Sequence, residues 1–149
     1  MNIDYVTADL AMPAVDVRLD MTNMPFAESS FDIIVAVHVL EHVPDDAAAI
    51  AEAYRVLKPG GLAVLQSAQH PNRETTDEYL GPLPESDRMA RFEGPDHMRL
   101  YGQDFADRLR AGGFEVTVKK VPNWFDRETI GRFGLDPLET FYELQRPRH

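Results

Sequence analysis

Residues Pro25 to Asp46 read PFAESSFDIIVAVHVLEHVPDD, and the middle of that stretch decides the fold. Phe31 to Val37 is almost wholly apolar and rich in β-branched side chains, the pattern of a strand buried on both faces. His38, Glu41 and His42 arrive as the apolar run ends, Pro44 closes it, and Asp45 or Asp46 is placed to cap a helix beginning at Ala47. In an open α/β sheet the carboxyl end of a strand is where ligands bind. The polar tip is therefore the first candidate site.

Working outward, Ala47 to Leu57 carries Ile50, Tyr54 and Leu57 on one helical face and Glu52 and Arg55 on the other. Lys58-Pro59-Gly60-Gly61 stops that helix and turns the chain, and Leu62 to Ala68 is a second buried apolar strand. Strand, helix and strand of these lengths make one parallel unit. Upstream, Ile3 to Leu10 reads as a short strand ending in Asp9, and Val15 to Leu19 as another ending in Asp20. The five residues between them span at most about 17 Å, too little for a crossover helix, so the second strand must be very short if parallel to the first. Asp9 offers carboxylate acceptors suited to ribose hydroxyls; alone, it reads equally as a loop residue that turns the chain. Asp20 either accepts from an adenine amino group or starts the turn at Met21 to Asn23.

Downstream, Gln69 to Met98 is charged, rich in proline and weakly periodic, the character of a lid or binding loop, with a short helix expected near Glu85 to Phe92. Helices are expected over Gln103 to Ala111 and Asp126 to Phe133, and strands over Phe114 to Val121 and Thr140 to Gln145.

Composition bounds the rest. A chain of 149 residues is most simply one domain, 1–149, with a core of its own. The absence of cysteine excludes a disulfide framework, thiol catalysis and cysteine-ligated zinc, and fits a reducing cytoplasm. No run approaches the roughly 18 apolar residues of a membrane span, and MNIDYVTADL lacks the basic start of a signal peptide. A formal charge of −10 with scattered basic residues disfavours nucleic acid, which needs a basic stripe. His38-Val39-Leu40-Glu41-His42 satisfies H-x-x-E-H, a zinc-peptidase pattern requiring both histidines on one helical face. Here the first closes a strand and Pro44 follows the second, so no metal is expected.

The ordered set PFAESSFDIIVAVHVLEHVPDDAAAIAEAYRVLKPGGLAVLQ resembles the central portion of class I S-adenosylmethionine-dependent methyltransferases of the type 11 group. YVTADL, VDVRLDMTNMPF, DHMRLYGQDF and AGGFEV add a narrower likeness to a bacterial subgroup. The resemblance implies an α/β Rossmann-like methyltransferase sheet, mostly parallel with an antiparallel C-terminal strand. It implies S-adenosylmethionine as cofactor, and the first expectation for function is methyl transfer to a small-molecule or saccharide-type acceptor. Asp9 and Leu10 would hold the ribose and adenosine, Asp20 and Met21 the adenine, and His38 and Val39 the methionine end. His38 and His97 become candidate catalytic bases, and Arg99 and Tyr101 candidate acceptor contacts. The bland alternatives are that His42 simply bonds a backbone carbonyl and that Arg99 pairs with an aspartate.

The chain departs from the family at its start. The family's first strand, glycine-rich turn and first helix have no counterpart, and the nine glycines include no G-x-G-x-x-G. In the family order 3-2-1-4-5-7-6 the strand without a counterpart is the central one. The Asp9 and Phe31 strands are therefore expected to pair or to stand apart, with a homodimer covering the exposed surface. The competing expectation is a non-catalytic methyltransferase-like subunit acting by association. A nicotinamide oxidoreductase fails for want of the glycine fingerprint.

Overall fold

The computed structural model describes residues 3–148. Two very short strands, β1 (Ala8–Asp9) and β2 (Val17–Arg18), pair in parallel without a crossover helix. Strand β3 (Phe31–Val37) leads through a single 3₁₀ turn, Leu40–His42, into helix α1 (Asp46–Val56), and β4 (Leu57–Gln66) lies parallel to β3. The Asp45 side chain caps α1 by accepting from the Ala48 N–H at 2.9 Å. Lys58 to Gly61, expected as a turn, is drawn into β4 as an irregularity: Phe31 aligns with Leu57 but Ile33 with Leu62. Gly60 supplies the left-handed φ of 79° that this bulge needs.

Between β4 and the next strand unit lie β5 (Asp77–Glu78), α2 (Glu85–Phe92) and β6 (Arg99–Leu100), with β5 and β6 antiparallel. Helix α3 (Phe105–Ala111) precedes β7 (Glu115–Lys120), the short helices α4 (Val121–Trp124) and α5 (Arg127–Phe133), and the closing strand β8 (Thr140–Gln145). The main sheet has the order β3-β4-β8-β7, with β8 antiparallel to both neighbours. The β1–β2 pair stands apart from it, the second of the two arrangements expected for the Asp9 strand.

The core fills one face of the sheet. Ile50 and Ala53 of α1, Phe105 and Leu109 of α3, Leu65 of β4 and Leu144 of β8 form one buried cluster. Ile34 and Ala36 pack against it from β3, as the two-residue period of a strand requires. The alternate positions do not: Ile33, Val35 and Val37 are 61%, 66% and 48% exposed. This corrects the expectation of burial on both faces. Strand β3 is an edge strand of its sheet, and its second face stands open among the described residues.

The polar face of α1 is also used. Arg55 donates to the Met24 and Phe26 carbonyls while Glu52 accepts from the Met24 N–H at 2.8 Å, fixing the loop that enters β3.

Candidate functional site

A cleft of about 860 Å³ runs between the β1–β2 pair and β3. Asp9, Leu10, Asp20, Met21, His38 and Val39 all line it, so the structure gathers six candidate residues from separated stretches of sequence. Each aspartate is held by its own turn. Asp9 Oδ1 accepts from the Ala11 and Met12 N–H groups at 2.8 and 2.7 Å. Asp20 Oδ1 accepts from the Thr22 N–H and hydroxyl at 2.8 and 2.7 Å. Those bonds hold both carboxyls below the usual range, with the nearby Arg18 charge adding a smaller effect at Asp9. Both residues are thus ionised acceptors at neutral pH, each with Oδ2 free of the turn that fixes Oδ1.

His38 sits where β3 ends. Its φ is 56°, a left-handed conformation rare for a side chain with a Cβ and of the kind that collects at functional sites. Its Nδ1 is 2.9 Å from Oε1 of Glu41, which is fully buried. A carboxylate only accepts, so Nδ1 carries the proton and Nε2 keeps its lone pair. The carboxylate is secured in turn by the Ser67 hydroxyl and by the Ala68 N–H at 3.2 Å. Burial alone would raise the Glu41 carboxyl, but the bonds from Ser67, its own N–H, His38 and Ala68 outweigh it and lower it. An ionised carboxylate behind the ring supports a proton arriving at Nε2.

A second cavity, about 600 Å³, opens on the other side of His38. Gln66, Ser67, Gln69, Gln103, Lys120 and Tyr142 give it a polar lining. His38 is the one residue that lines both spaces among the described residues. Gln69 and the Tyr142 hydroxyl bond each other at 2.7–2.9 Å, and Gln66 Nε2 donates to the Thr140 carbonyl at 2.7 Å. Sequence reading missed these residues, although Gln66 and Ser67 end the strand next to β3 and the same carboxyl-end rule applies to them.

The remaining candidates lie elsewhere. His97 lines neither cavity; its Nδ1 is 2.8 Å from the Phe92 carbonyl and its ring packs edge-on against His42. Arg99 is 1% exposed, with Nη1 donating to the Leu40 and Val43 carbonyls and Nη2 to that of Pro44 at 2.9 Å. Tyr101 is fully buried and donates to Asp46 Oδ2 at 2.9 Å. Its hydroxyl is pushed up first by burial and then by the Asp46 charge, so it stays neutral. Arg99 and Tyr101 therefore brace the turn after β3 rather than face an acceptor, a correction to the roles expected of them. The turn partners Leu40 and Asp46 lie more than fifty residues upstream, which no local pattern displays.

Residues 3–65 match the family model described as a methyltransferase domain. A probable S-adenosylmethionine-dependent methyltransferase of Mycolicibacterium smegmatis is 32% identical over 127 residues, which are 78% of this chain and 43% of that protein. The chain is similar to class I S-adenosylmethionine-dependent methyltransferases. The ubiquinone/menaquinone biosynthesis C-methyltransferase UbiE of Dinoroseobacter shibae is 33% identical over 120 residues, 68% of this chain and 48% of that one. The chain thus spans less than half the length of these two relatives. Among solved structures, an S-adenosylmethionine-dependent methyltransferase from Mesorhizobium loti superposes with a TM-score of 0.57 at 18% identity, covering 93% of this chain and 78% of that one. A putative methyltransferase from Bacillus halodurans gives 0.56 at 20% identity, covering 95% and 81%.

The main sheet runs β3-β4-β8-β7, and no strand joins it to the β1–β2 pair among the described residues. S-adenosylmethionine is the methyl donor of this family. The cleft is lined by two ionised carboxylates, the exposed Leu10 and the buried Met21. The His38–Val39 tip also lines it, and no glycine does among the described residues.

Proposed function

We propose that this chain supports methyl transfer from S-adenosylmethionine, bound in the β1–β3 cleft, to a small-molecule or saccharide-type acceptor in the polar cavity. The observation that carries this reading is the position of His38 on both spaces. Asp9 would take the ribose hydroxyls, Asp20 the adenine amino group, and Leu10 and Met21 the apolar surface of the adenosine. The bound donor supplies an electrophilic methyl group. Because positive charge is dispersed as that group leaves sulfur, alignment and exclusion of water supply much of the acceleration. The chain's own contribution is to hold the acceptor among Gln66, Gln69 and Tyr142 and to receive its proton, where it has one to lose, at His38 Nε2.

Calorimetric titration with S-adenosylmethionine and S-adenosylhomocysteine tests this. Saturable binding that weakens in Asp9→Asn is expected; a folded sample that binds neither refutes it.

A second reading is favoured by the open edge of β3 and by exposed Ile33, Val35 and Val37. It makes the chain a non-catalytic partner that works by association, with a homodimer as the simplest form. Sedimentation separates the two: a dimer dispersed by Val35→Lys, without cofactor binding, is the outcome this reading requires.

A further inference from the structure

The 3₁₀ turn and the loop 93–98 bring together three ligating side chains that lie outside the proposed transfer chemistry or only support it. One ligand atom from each of Glu41, His42 and His97 falls within 4.8 Å of the others. The His42 and His97 rings meet nearly at right angles, 4.8 Å between centroids.

Each histidine retains a lone pair. The His97 Nδ1 proton is committed to the Phe92 carbonyl at 2.8 Å, which leaves Nε2 free, and that is the second contact by which metal-binding histidines are oriented. His42 Nδ1 is buried without a hydrogen-bond partner; Asp96 Oδ2, 3.2 Å away, lies off the line of its N–H. The Glu41 carboxylate accepts from His38, Ser67, Ala68 and its own N–H, so a metal ion would take the place of one of these donors. A glycine also makes room: a Cβ on Gly94 would stand 2.4 Å from His97 Nε2, so any other residue there would displace the ring.

We infer that Glu41, His42 and His97 form a binding site for a divalent transition-metal ion, Zn²⁺ foremost, with Asp96 as a supporting carboxylate. Two imidazoles and one carboxylate suit Zn²⁺ and its neighbours, whereas Mg²⁺ and Ca²⁺ take oxygen ligands almost throughout. Ligand atoms on a tetrahedral ion sit about 3.3 Å apart, so binding would draw the 93–98 loop toward the turn. The Met98 N–H already bonds the Glu41 carbonyl at 2.8 Å, which makes that a small movement. This site differs from the H-x-x-E-H pattern of the sequence. His38 is not among its ligands, and its third ligand comes from the loop before β6. It depends on neither the methyl donor nor the acceptor.

The test is calorimetric titration of chelator-treated protein with Zn²⁺, with Mg²⁺ as control. One Zn²⁺ per chain is expected, with affinity falling at least about tenfold in His97→Asn and in His42→Asn and less in Asp96→Asn. Circular dichroism establishes that each variant is folded. Should the histidine variants not fold, substoichiometric Mn²⁺ added to the unaltered chain is expected to broaden the ring resonances of His42 and His97 and leave those of His70 sharp. Absence of Zn²⁺ binding, binding unchanged in both histidine variants, or broadening centred elsewhere overturns the proposal and leaves the cluster a clasp between turn and loop.

Discussion

Replacing Arg99 by methionine separates a brace from an acceptor contact. The side chain is 1% exposed and serves three backbone carbonyls, those of Leu40, Val43 and Pro44, besides Glu78 at 3.3 Å. Methionine keeps the length and most of the apolar stem but donates nothing. A hydrogen bond from a charged donor contributes about 1.5–3 kcal/mol, so three independent bonds would sum to about 4.5–9 kcal/mol. That sum overstates the loss. Arg108 still holds both Asp46 and Glu78, each at 2.9 Å, and water can reach the freed carbonyls once the turn relaxes. Breaking a buried charged contact costs about 3–5 kcal/mol, the figure to be expected here. Against a total stability of about 5–15 kcal/mol this is large. At about 2–4 °C per kcal/mol it lowers the melting temperature by about 6–20 °C, read by circular dichroism. A variant melting within about 2 °C of the parent would refute the bracing role. If such a variant also lost acceptor affinity, the contact role would return.

His38→Ala is expected to impair donor binding or turnover while leaving the melting temperature nearly unchanged, since the ring is exposed; unaltered affinity and rate would remove His38 from the site. Tyr101→Phe removes the hydroxyl that bonds Asp46 and should cost about 1–2 kcal/mol by chemical denaturation, because Arg108 still satisfies the carboxylate. Asp77 has its carboxyl held low chiefly by the hydrogen bond from Arg91, against opposing burial, with Arg73 assisting. A lowered folded pKa stabilises where the group is ionised, so its contribution is full at neutral pH and is lost as pH falls through the acid range. Asp77→Asn should therefore flatten the acid limb of stability against pH, and an unchanged limb would discount the pair.

Periodicity located β3, α1 and β8, because each is amphipathic, alternating or uniformly apolar over its length. The brevity of β1 and β2 followed from chain reach: five residues leave no room for a crossover helix. Whether β3 was covered on both sides could not follow, since burial is a property of neighbours and the pattern FDIIVAV is the same beside an open edge. Asp9, Asp20 and His38 were legible because they end strands or follow strand ends. Arg99 and Tyr101 were misread for the converse reason: a polar residue before a helix looks exposed unless its partners are known, and these lie in a turn far upstream. Glu41 was visible as part of HVLEH, but its hold on His38 depends on a left-handed residue that the sequence does not announce.

These errors share a cause that bears on the site itself. The His38 backbone stands in a conformation that costs about 1–3 kcal/mol and persists only where the surroundings over-determine it. The determinants are now identifiable. Glu41 holds the ring, Arg99 holds the carbonyls that follow, and the Met98 N–H holds the carbonyl of Glu41. Two of the three come from the end of the Gln69–Met98 stretch and the strand it leads into, a stretch that reads in sequence as a lid or binding loop. In the folded chain it is a buttress: β5 pairs with β6, Glu78 reaches Arg99 and Arg108, and Arg91 and Arg73 close on Asp77. Substitutions there should thus act on His38 through its geometry, lowering turnover together with stability instead of altering which acceptor is taken.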